Sequence, residues 1–363
     1  MTDRPIEFLP LTEQHPDLMY KGKGRIHSKR MDYLYTPTNL ATLPIPNLDA
    51  DFFTALQHNE KLLDYKKGKK TKWFGNVRIT HEDLERVLDI LAGLDSPLPL
   101  EEQLAAYQIY GSDRRGNLKI TGYYCPKIKV DSSPSADFAY PVFRRPRDWE
   151  ENLPTREEID FGLLSGQGLE IGYAEHPLDV YWLQVQGSGY AEYPSGKLEL
   201  WSYDGSNRKS YRSIGKMLAK DDYYQISDIS ARGIRRYMDR HPEQIEEILH
   251  HNSSYTFLKK SKKRLTGAGG VNLTPQFSVA VDPKYIPLGA CILAAVPVRN
   301  PKTRRIESHE YRLLFAQDTG GAIKGAGRID VFTGIGDKAQ AIADDLHHYG
   351  RLWLLLPKDI SEG

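Results

Sequence analysis

The chain has 363 residues, a length that predicts two domains, and 49 Lys plus Arg against 48 Asp plus Glu give a net charge of +1. Hydrophobic residues make up 40% and charged residues 27%, which excludes a disordered chain, a collagen-like repeat and a membrane-spanning bundle. The near-neutral charge gives no reason to expect nucleic acid or an anionic membrane as the partner.

The first part of the chain, to about residue 95, carries a helical pattern. Apolar residues recur there at the spacing of one helix face: Leu84, Val87, Leu88 and Leu91. Thr80 is a suitable N-cap for this helix, and Gly93 ends it. A basic run at 66–72 is interpreted as a solvated loop rather than a contact to phosphate or a wall polymer.

From about Leu118 the pattern changes to short strand-like runs separated by Gly, Pro, Asp and Ser. Aromatic residues are spread through these runs: Tyr123, Tyr124, Tyr140, Tyr181, Trp182 and Tyr190. The pattern predicts an all-β region. The 22 tyrosines suit strands, or alternatively a surface for a polar ligand with apolar faces.

The remainder alternates helices and strands. Two helical stretches, one with Ile234 and Met238 and one with Ile245 and Leu249, are separated by a break at His241-Pro242. Apolar runs predict strands at 277–281, 291–296, 311–316 and 352–356. A last amphipathic helix is predicted from the following residues: Ala339, Ile342, Ala343 and Leu346.

Several common chemistries find no support in the sequence. There is no Walker loop, dinucleotide fingerprint or HExxH helix, so no nucleotide and no cofactor is expected. The glycines at 267–270 are interpreted as turn residues. The adjacent pairs His250-His251 and His347-His348 would point to different sides of a helix, so no metal site is expected.

Nucleophilic catalysis also has little support. Ser188 does not lie in a GxSxG elbow. The two cysteines, Cys125 and Cys291, cannot form a disulfide framework, and a buried, inert Cys125 is favoured over a thiol nucleophile. The sequence has no apolar run of about 18 residues, and its first residues lack the pattern of a signal peptide. These features predict a soluble chain, or one from which an export segment has been removed.

Three aspartates form the strongest candidate site. Asp282 and Asp318 each end a predicted strand beside Pro or Gly, and Asp330 follows shortly after Asp318. Glycines beside such acids let a ligand approach the backbone closely. For any one Asp alone, turn capping is the favoured explanation, but three in this arrangement favour a site.

The segments around these acids, 278–289, 316–325 and 328–336, resemble the 3D domain, which is named for three aspartates on a double-psi β-barrel. Upstream segments resemble the part specific to membrane-bound lytic transglycosylase A: 121–124, 153–156, 184–189, 211–215 and 252–257. The matches keep the same order over about two thirds of the chain. Each motif is weak by itself, but the ordered series is specific.

The resemblance implies a mainly β fold with several helices. The double-psi β-barrel 3D domain, with an N-terminal helical part, would comprise residues 1–123 and 256–363. A second, family-specific β-barrel domain, residues 124–255, would be inserted into it, with glycan bound in the groove between the domains.

The resemblance implies a peptidoglycan lytic transglycosylase with Asp330 as the catalytic residue. One carboxyl group suffices, because N-acetylmuramic acid carries its own nucleophile, the C6 hydroxyl. Asp330 would protonate the glycosidic oxygen and then accept the proton of that hydroxyl, which leaves a 1,6-anhydro sugar. Burial beside Ile329 and Phe332 is expected to raise the pKa of Asp330. Asp318 and Asp282 would be supporting groups.

Two sets of residues would bind the substrate. On the inserted domain these are Tyr124, Gln186, Gly187 and Ser188. On the 3D domain the backbone of Gly320 and Gly321 would face glycan, and Lys324 and Arg328 would contact lactyl or peptide-stem carboxylates, with plain surface charge as the alternative for each.

Two other functions remain open on the residues alone: a carbohydrate-binding protein without catalysis, and a hydrolytic muramidase in which Asp318 activates water. The resemblance implies peptidoglycan glycan strands as the partner, with cell-wall synthesis or division proteins as further candidates. It also implies a lipoprotein on the periplasmic face of the outer membrane, although the lipid-attachment signal is not in this sequence.

Overall fold

The computed structural model describes residues 34–65, 72–93, 98–109, 111, 116–147, 153–221, 226, 230–262, 264–300 and 306–358. The basic run at 66–72 lies outside them except for its last residue. The chain divides into two compact units. Unit 1 comprises Met1–Tyr123, Thr266–Gly334 and Ala341–Gly363, and unit 2 comprises Tyr124–Leu265 and Ile335–Gln340.

The elements follow in chain order. The first part contains β1 (Tyr35–Thr38), α1 (Ala50–Tyr65), β2 (Lys72–Phe74), β3 (Val77–Ile79), α2 (His81–Ala92), α3 (Leu100–Gln103), β4 (Leu104–Ile109) and β5 (Leu118–Cys125). The middle part contains β6 (Lys127–Asp131), β7 (Tyr140–Phe143), α4 (Arg156–Glu158), β8 (Glu170–Ala174), α5 (Pro177–Gln186), β9 (Gly189–Glu192), β10 (Leu198–Ser206), α6 (Ile214–Leu218), α7 (Ala231–Arg240), α8 (Ile245–His250) and β11 (Thr256–Ser261). The last part contains β12 (Ser278–Ala280), β13 (Cys291–Arg299), β14 (Ile306–Asp318), β15 (Arg328–Ile335), α9 (Gly336–Asp345) and β16 (His347–Pro357).

The main sheet of unit 1 closes on itself. In the described part of the chain its strands pair in the order β1-β4-β16-β13-β14-β12-β15-β5, and β5 also pairs with β16. The pairings from β16 through β13, β14, β12, β15 and β5 back to β16 therefore form a ring of strands, with β4 and β1 attached outside it. Closure removes the exposed edges that an open sheet would present. The double-psi crossover of the barrel stays a prediction.

Apolar strands build the core of this ring. The first seven residues of β13, Cys291 to Pro297, are all buried, as a strand covered on both faces requires. Helix α1 packs against β14 of this core. The ring centroids of Phe52 on α1 and Phe315 on β14 are 5.5 Å apart. The helix begins where Asp49 Oδ1 accepts the Phe52 amide at 2.8 Å. The predicted strands at 277–281, 291–296, 311–316 and 352–356 are all confirmed.

Helix α2 confirms the sequence signals at both of its ends. Thr80 accepts the amide of Asp83, Asp83 accepts the amide of Thr80, and together they form a capping box. The amide of Gly93 closes the last turn on the carbonyl of Asp89. The four predicted apolar residues of α2 are all buried against the barrel.

Unit 2 combines a sheet with a group of helices. Its strands pair in the order β11-β10-β9-β6-β8-β7 within the described residues. Apolar residues of α5, α6, α7 and α8 form a separate cluster, which includes Leu178, Ile214, Ile234 and Ile248. The predicted break at His241-Pro242 is confirmed, since Pro242 starts a 3-10 turn between α7 and α8. That the sheet of unit 2 closes into a second barrel stays a prediction.

The expectation of an all-β region around Tyr181 and Trp182 is wrong, because both lie on α5. The helix has Pro177 at its first position, His176 as its N-cap and Gly187 in the left-handed conformation as its C-cap. These end signals outweigh the strand preference of the aromatic residues between them.

Two smaller expectations are also corrected. The last helix is α9, but Ile342, expected on its apolar face, is 46% exposed, whereas Ala339 and Ala343 are buried. His347 and His348 lie on a strand rather than a helix. They still point to opposite sides, because neighbouring side chains alternate along a strand.

Candidate active site

Two of the three predicted aspartates flank one short strand of unit 1. Ala280, the last residue of β12, pairs with Asp318 of the parallel strand β14 and with Asp330 of the antiparallel strand β15. The β12–β14 register shifts between Val279 and Ala280, so a β-bulge brings Asp318 level with Ala280 and both aspartates lie beside the end of β12. Their backbones are about 10 Å apart, the width of two strand spacings.

Asp330 is held by one hydroxyl and faces one guanidinium. Thr121 Oγ1 on β5 donates to Asp330 Oδ1 at 2.5 Å. Arg328 Nη2 donates in turn to Thr121 Oγ1 at 3.2 Å and lies 4.0 Å from Asp330 Oδ2. The Thr121 hydroxyl has a second acceptor in the Ile329 carbonyl oxygen, at 3.4 Å, so Asp330 Oδ1 is the nearer of the two.

Asp318 is bound by more donors than Asp330. Its Oδ1 accepts the amides of Ala268 at 2.7 Å and Thr319 at 2.8 Å, and its Oδ2 accepts the Tyr123 hydroxyl at 2.7 Å. These three bonds favour the ionised form of Asp318 and tie the loops of Ala268 and Thr319 to the end of β14.

The glycines at 267–270 contribute directly to this site. A Cβ at Gly267 would lie 2.6 Å from the Gln317 carbonyl oxygen and 3.2 Å from the Asp318 Cβ. Only glycine lets this loop come close enough for the Ala268 amide to reach Asp318. Their interpretation as turn residues alone is thus incomplete.

Burial dominates the electrostatics of both acids. It raises the pKa of Asp330, against the opposing effects of Arg328 and the Thr121 hydrogen bond, and the charge of Asp318 raises it further. Burial also raises the pKa of Asp318, against its hydrogen bonds from Tyr123, Ala268 and Thr319. Asp330 combines a raised pKa with few bonds to its ionised form, which suits a general acid.

Asp282 lies apart from this chemistry. It is 6% exposed, its Oδ1 accepts the Lys284 amide at 3.1 Å, and its Oδ2 accepts the Gly325 amide at 2.8 Å. The first bond caps a turn, and the second ties that turn to the loop between Asp318 and Asp330. Asp282 therefore positions a loop through its backbone contacts.

Strand β5 supplies the groups that sequence reasoning did not assign. Every second residue of β5 points to the same face, which places Lys119, Thr121 and Tyr123 in one row. Thr121 binds Asp330, and the charge of Lys119 lowers the pKa of Asp330. Tyr123 binds Asp318. His347 pairs with Thr121 across β16 and β5. Partial burial, then Lys119 and Arg328, lower the pKa of His347 to about 4, so it is neutral at neutral pH. The alternation of side chains expected along a strand at 119–123 would have predicted that Lys119, Thr121 and Tyr123 share a face.

The loop after Asp318 carries the other candidates of unit 1. Gly321 and Lys324 are exposed, and Gly320 is half-buried. A Cβ at Gly321 would meet no atom within 4 Å, so this backbone is open to a ligand. Arg328 is the one basic candidate that the fold brings to Asp330, among those proposed from the sequence.

The candidates of unit 2 lie together near the end of α5. Gln186 ends the helix, Gly187 caps it, and Ser188 precedes β9. Gln186 Oε1 accepts the Tyr124 amide at 3.4 Å. Tyr124 as a residue is only 7% exposed, so a sugar contact through its ring stays a prediction. Cys125 is buried, and burial raises the pKa of its thiol to about 12, as an inert cysteine requires.

Family comparisons match two segments of the chain. The MltA specific insert domain matches residues 119–259, and the 3D domain matches residues 277–356. The membrane-bound lytic murein transglycosylase A of Vibrio cholerae is 38% identical over 255 residues, which are 69% of this chain and 69% of that protein. The protein of the same name from Escherichia coli strain K12 is 35% identical over 296 residues, or 81% of this chain and 80% of that protein.

Solved structures show the same likeness. The crystal structure of E. coli MltA with bound chitohexaose has a TM-score of 0.76 and 29% identity, over 93% of this chain and 99% of that chain. The crystal structure of MltA from Neisseria gonorrhoeae has a TM-score of 0.70 and 26% identity, over 99% of each chain.

Proposed function

Because the chain belongs to the membrane-bound lytic murein transglycosylase A family and is a peptidoglycan lytic transglycosylase, we propose that Asp330 alone serves as its acid and base. The bond cleaved is the β-1,4 linkage between N-acetylmuramic acid and N-acetylglucosamine, and the product ends in 1,6-anhydro-N-acetylmuramic acid. The observation that carries this proposal is the surroundings of Asp330: a carboxyl that is 15% exposed and has a raised pKa, one hydroxyl donor and one nearby guanidinium.

The reaction balances with one carboxyl group. Protonated Asp330 donates the proton of Oδ2 to the glycosidic oxygen as the bond from that oxygen to C1 breaks. The resulting carboxylate accepts the proton of the C6 hydroxyl as O6 bonds to C1. The enzyme ends protonated, as it began, and no water is consumed.

Thr121 and Arg328 assist by holding the carboxyl group in position. The Thr121 hydrogen bond fixes Oδ1, which leaves Oδ2 for proton transfer. Arg328 stabilises the carboxylate between the two proton transfers, while burial raises the pKa of Asp330 and so favours its protonated form. Asp318 supports this arrangement through Tyr123 on the same strand as Thr121.

Substrate binding is assigned to both units. On unit 1, the exposed backbone of Gly321, its neighbour Gly320 and the side chain of Lys324 are proposed to contact glycan and its substituents. On unit 2, Gln186, Gly187, Ser188 and Tyr124 are proposed to contact sugar. We propose that unit 2 is the inserted domain, which extends the predicted range 124–255 through β11 to Leu265, and that unit 1 is a double-psi barrel domain.

The murein products test this function directly. The full chain is incubated with murein sacculi, and the released muropeptides are analysed by mass spectrometry. Anhydro ends are expected. Reducing ends would instead indicate a hydrolase, and the absence of cleavage would indicate a binding protein. Asp330→Ala is expected to abolish cleavage and to keep sacculus binding, and Asp318→Asn serves as the matched carboxyl control with partial activity.

Membrane attachment is a separate part of the proposal. The curated relatives are named membrane-bound. Among the described helices, none is both long and apolar enough to cross a bilayer. We place the full-length protein on the periplasmic face of the outer membrane through a lipid anchor, with glycan strands as its partner. Incorporation of a radiolabelled fatty acid and recovery in the outer-membrane fraction test this placement.

A further inference from the structure

Unit 2 contains an open cavity that the proposed reaction does not use. Its volume is about 430 Å³, within the range of small-ligand sites. It is lined by Arg145 beyond β7, by the end of β10 and the loop that follows, including Arg208, and by Lys259 on β11.

A β-bulge shapes this cavity. The register of β10 against β11 shifts between Tyr203 and Gly205, so Asp204 is the extra residue. Gly205 has a φ of +117°, and a Cβ there would lie 2.8 Å from the Arg145 Cδ. Glycine at this position therefore lets the side chain of Arg145 lie across the bulged strand.

The cavity carries a surplus of positive charge. Three cations line it, Arg145, Arg208 and Lys259, against the single carboxylate of Asp204. Asp204 Oδ1 lies 3.0 Å from Lys259 Nζ, and its Oδ2 accepts the Arg145 amide at 3.1 Å. Asp204 thus helps to hold the cavity together, and among the lining residues the cations outnumber the carboxylate three to one.

The lining also offers an apolar surface. The side chain of Tyr203 is 55% exposed beside the cations. A guanidinium binds a carboxylate through two parallel hydrogen bonds, and a tyrosine ring covers the aliphatic part of a ligand. The chemistry therefore fits a carboxylate that is joined to a short aliphatic chain.

We propose that this cavity binds a free carboxylate of the peptide stem of peptidoglycan. The proposal rests on the function assigned above, since the wall polymer supplies the ligand. The sugar rings are uncharged, and the lactyl carboxyl is used in the amide that joins the stem, so the free acids of the polymer belong to its peptides. A cationic cavity in unit 2 thus selects glycan that carries stems.

Direct binding tests the cavity without turnover. The probe is the free stem tetrapeptide, titrated into the full chain at low ionic strength and followed by NMR. Arg208→Gln is expected to weaken binding about three- to tenfold, and added salt is expected to weaken it further. Lys129→Gln is the matched control, because Lys129 is an exposed cation of the same unit, 66% exposed and paired with Glu175.

Several outcomes would overturn the proposal. Failure of the wild-type chain to bind the tetrapeptide would do so, and so would an equal loss in the Arg208 and Lys129 variants. Binding of an acidic polypeptide such as polyglutamate without binding of the tetrapeptide would assign the cavity to an acidic protein segment instead.

A second assay separates this proposal from the proposed function. Cleavage is measured on peptide-bearing strands and on strands stripped of peptide by an amidase. Arg208→Gln is expected to raise the ratio of KM on peptide-bearing strands to KM on stripped strands about threefold or more. If the wild-type chain cleaves neither substrate, the proposed function fails. The titration with the tetrapeptide then still tests whether the cavity binds a stem carboxylate. If it cleaves both and Arg208→Gln leaves the ratio unchanged, the cavity proposal fails alone.

Discussion

At the scale of single residues, the catalytic role proposed for Asp330 comes with a cost to stability. Its raised pKa means that the folded chain binds the proton more tightly than the unfolded chain. Below the unfolded pKa both states are protonated and the group has no effect. As pH rises from the unfolded pKa to the folded pKa, the unfolded state ionises first and the folded state loses stability, and above the folded pKa this loss stays constant.

Asp330→Asn is therefore expected to remove cleavage and to raise the melting temperature at pH 7 by a few degrees. Thr121 still finds an oxygen acceptor in the amide, so the local geometry is retained. The gain is expected to vanish as pH falls towards 4, where the wild-type carboxyl is also neutral. Calorimetry across this pH range measures both parts; an equal gain at every pH would contradict the assigned cause.

Thr121 is the proposed positioning residue, and its hydroxyl bond to Oδ1 lowers the pKa of Asp330 and so favours the ionised form. Thr121→Val is expected to lower kcat about 10- to 100-fold and to move the alkaline limb of the pH profile to higher pH, because a bond that favours the carboxylate is lost. Thr121→Ser keeps the hydroxyl and is expected to restore both. Equal losses in the two variants, or an unmoved limb, would assign Thr121 a packing role only.

At the scale of elements, α5 depends on an unusual N-cap. His176 Nδ1 accepts the Leu178 amide at 3.0 Å, which requires an unprotonated Nδ1. Burial, then the charge of Arg235, lower the pKa of His176 to about 4, while Asp239 opposes them. Because the unfolded pKa is about 6.5, the folded state loses this stabilisation as pH falls from about 6.5 to 4.

His176→Asn tests the cap. Asparagine accepts the same amide without titrating, so the loss of stability between pH 7 and pH 5 is expected to shrink by about 1 kcal/mol. Urea denaturation at the two pH values measures it, and His176→Ala, which lacks a cap, is expected to be less stable than both at pH 7. A wild-type pH dependence that persists in His176→Asn would place the titrating group elsewhere.

Elements with strong end signals or one dominant period were predictable from the sequence, as α2 and the strands of unit 1 show. Helix α5 was missed because its aromatic residues were weighed above the signals of Pro177 and Gly187. At the site, the emphasis on Tyr124 overlooked the period of two that places Tyr123 beside Thr121. The bond from Ala268 to Asp318 joins residues 50 positions apart, and no local pattern reveals such a contact.

At the scale of the whole molecule, each unit has its own hydrophobic core. The main cluster of unit 1 includes Leu314 and Trp353, whereas a cluster of unit 2 is built around residues such as Trp201 and Leu258. Separate cores allow separate cooperative units, so a defect in one core need not destabilise the other.

Leu314→Ala tests this independence. Leu314 is fully buried in β14, so its truncation is expected to cost about 2–5 kcal/mol. Hydrogen exchange followed by mass spectrometry is expected to show faster exchange in β13, β14 and β16, with β8 to β10 unchanged. Ile342→Ala, at a 46% exposed position, is the matched control and is expected to change little in either unit. Faster exchange across both units in Leu314→Ala would mean that the chain unfolds as one cooperative body, in spite of its two cores.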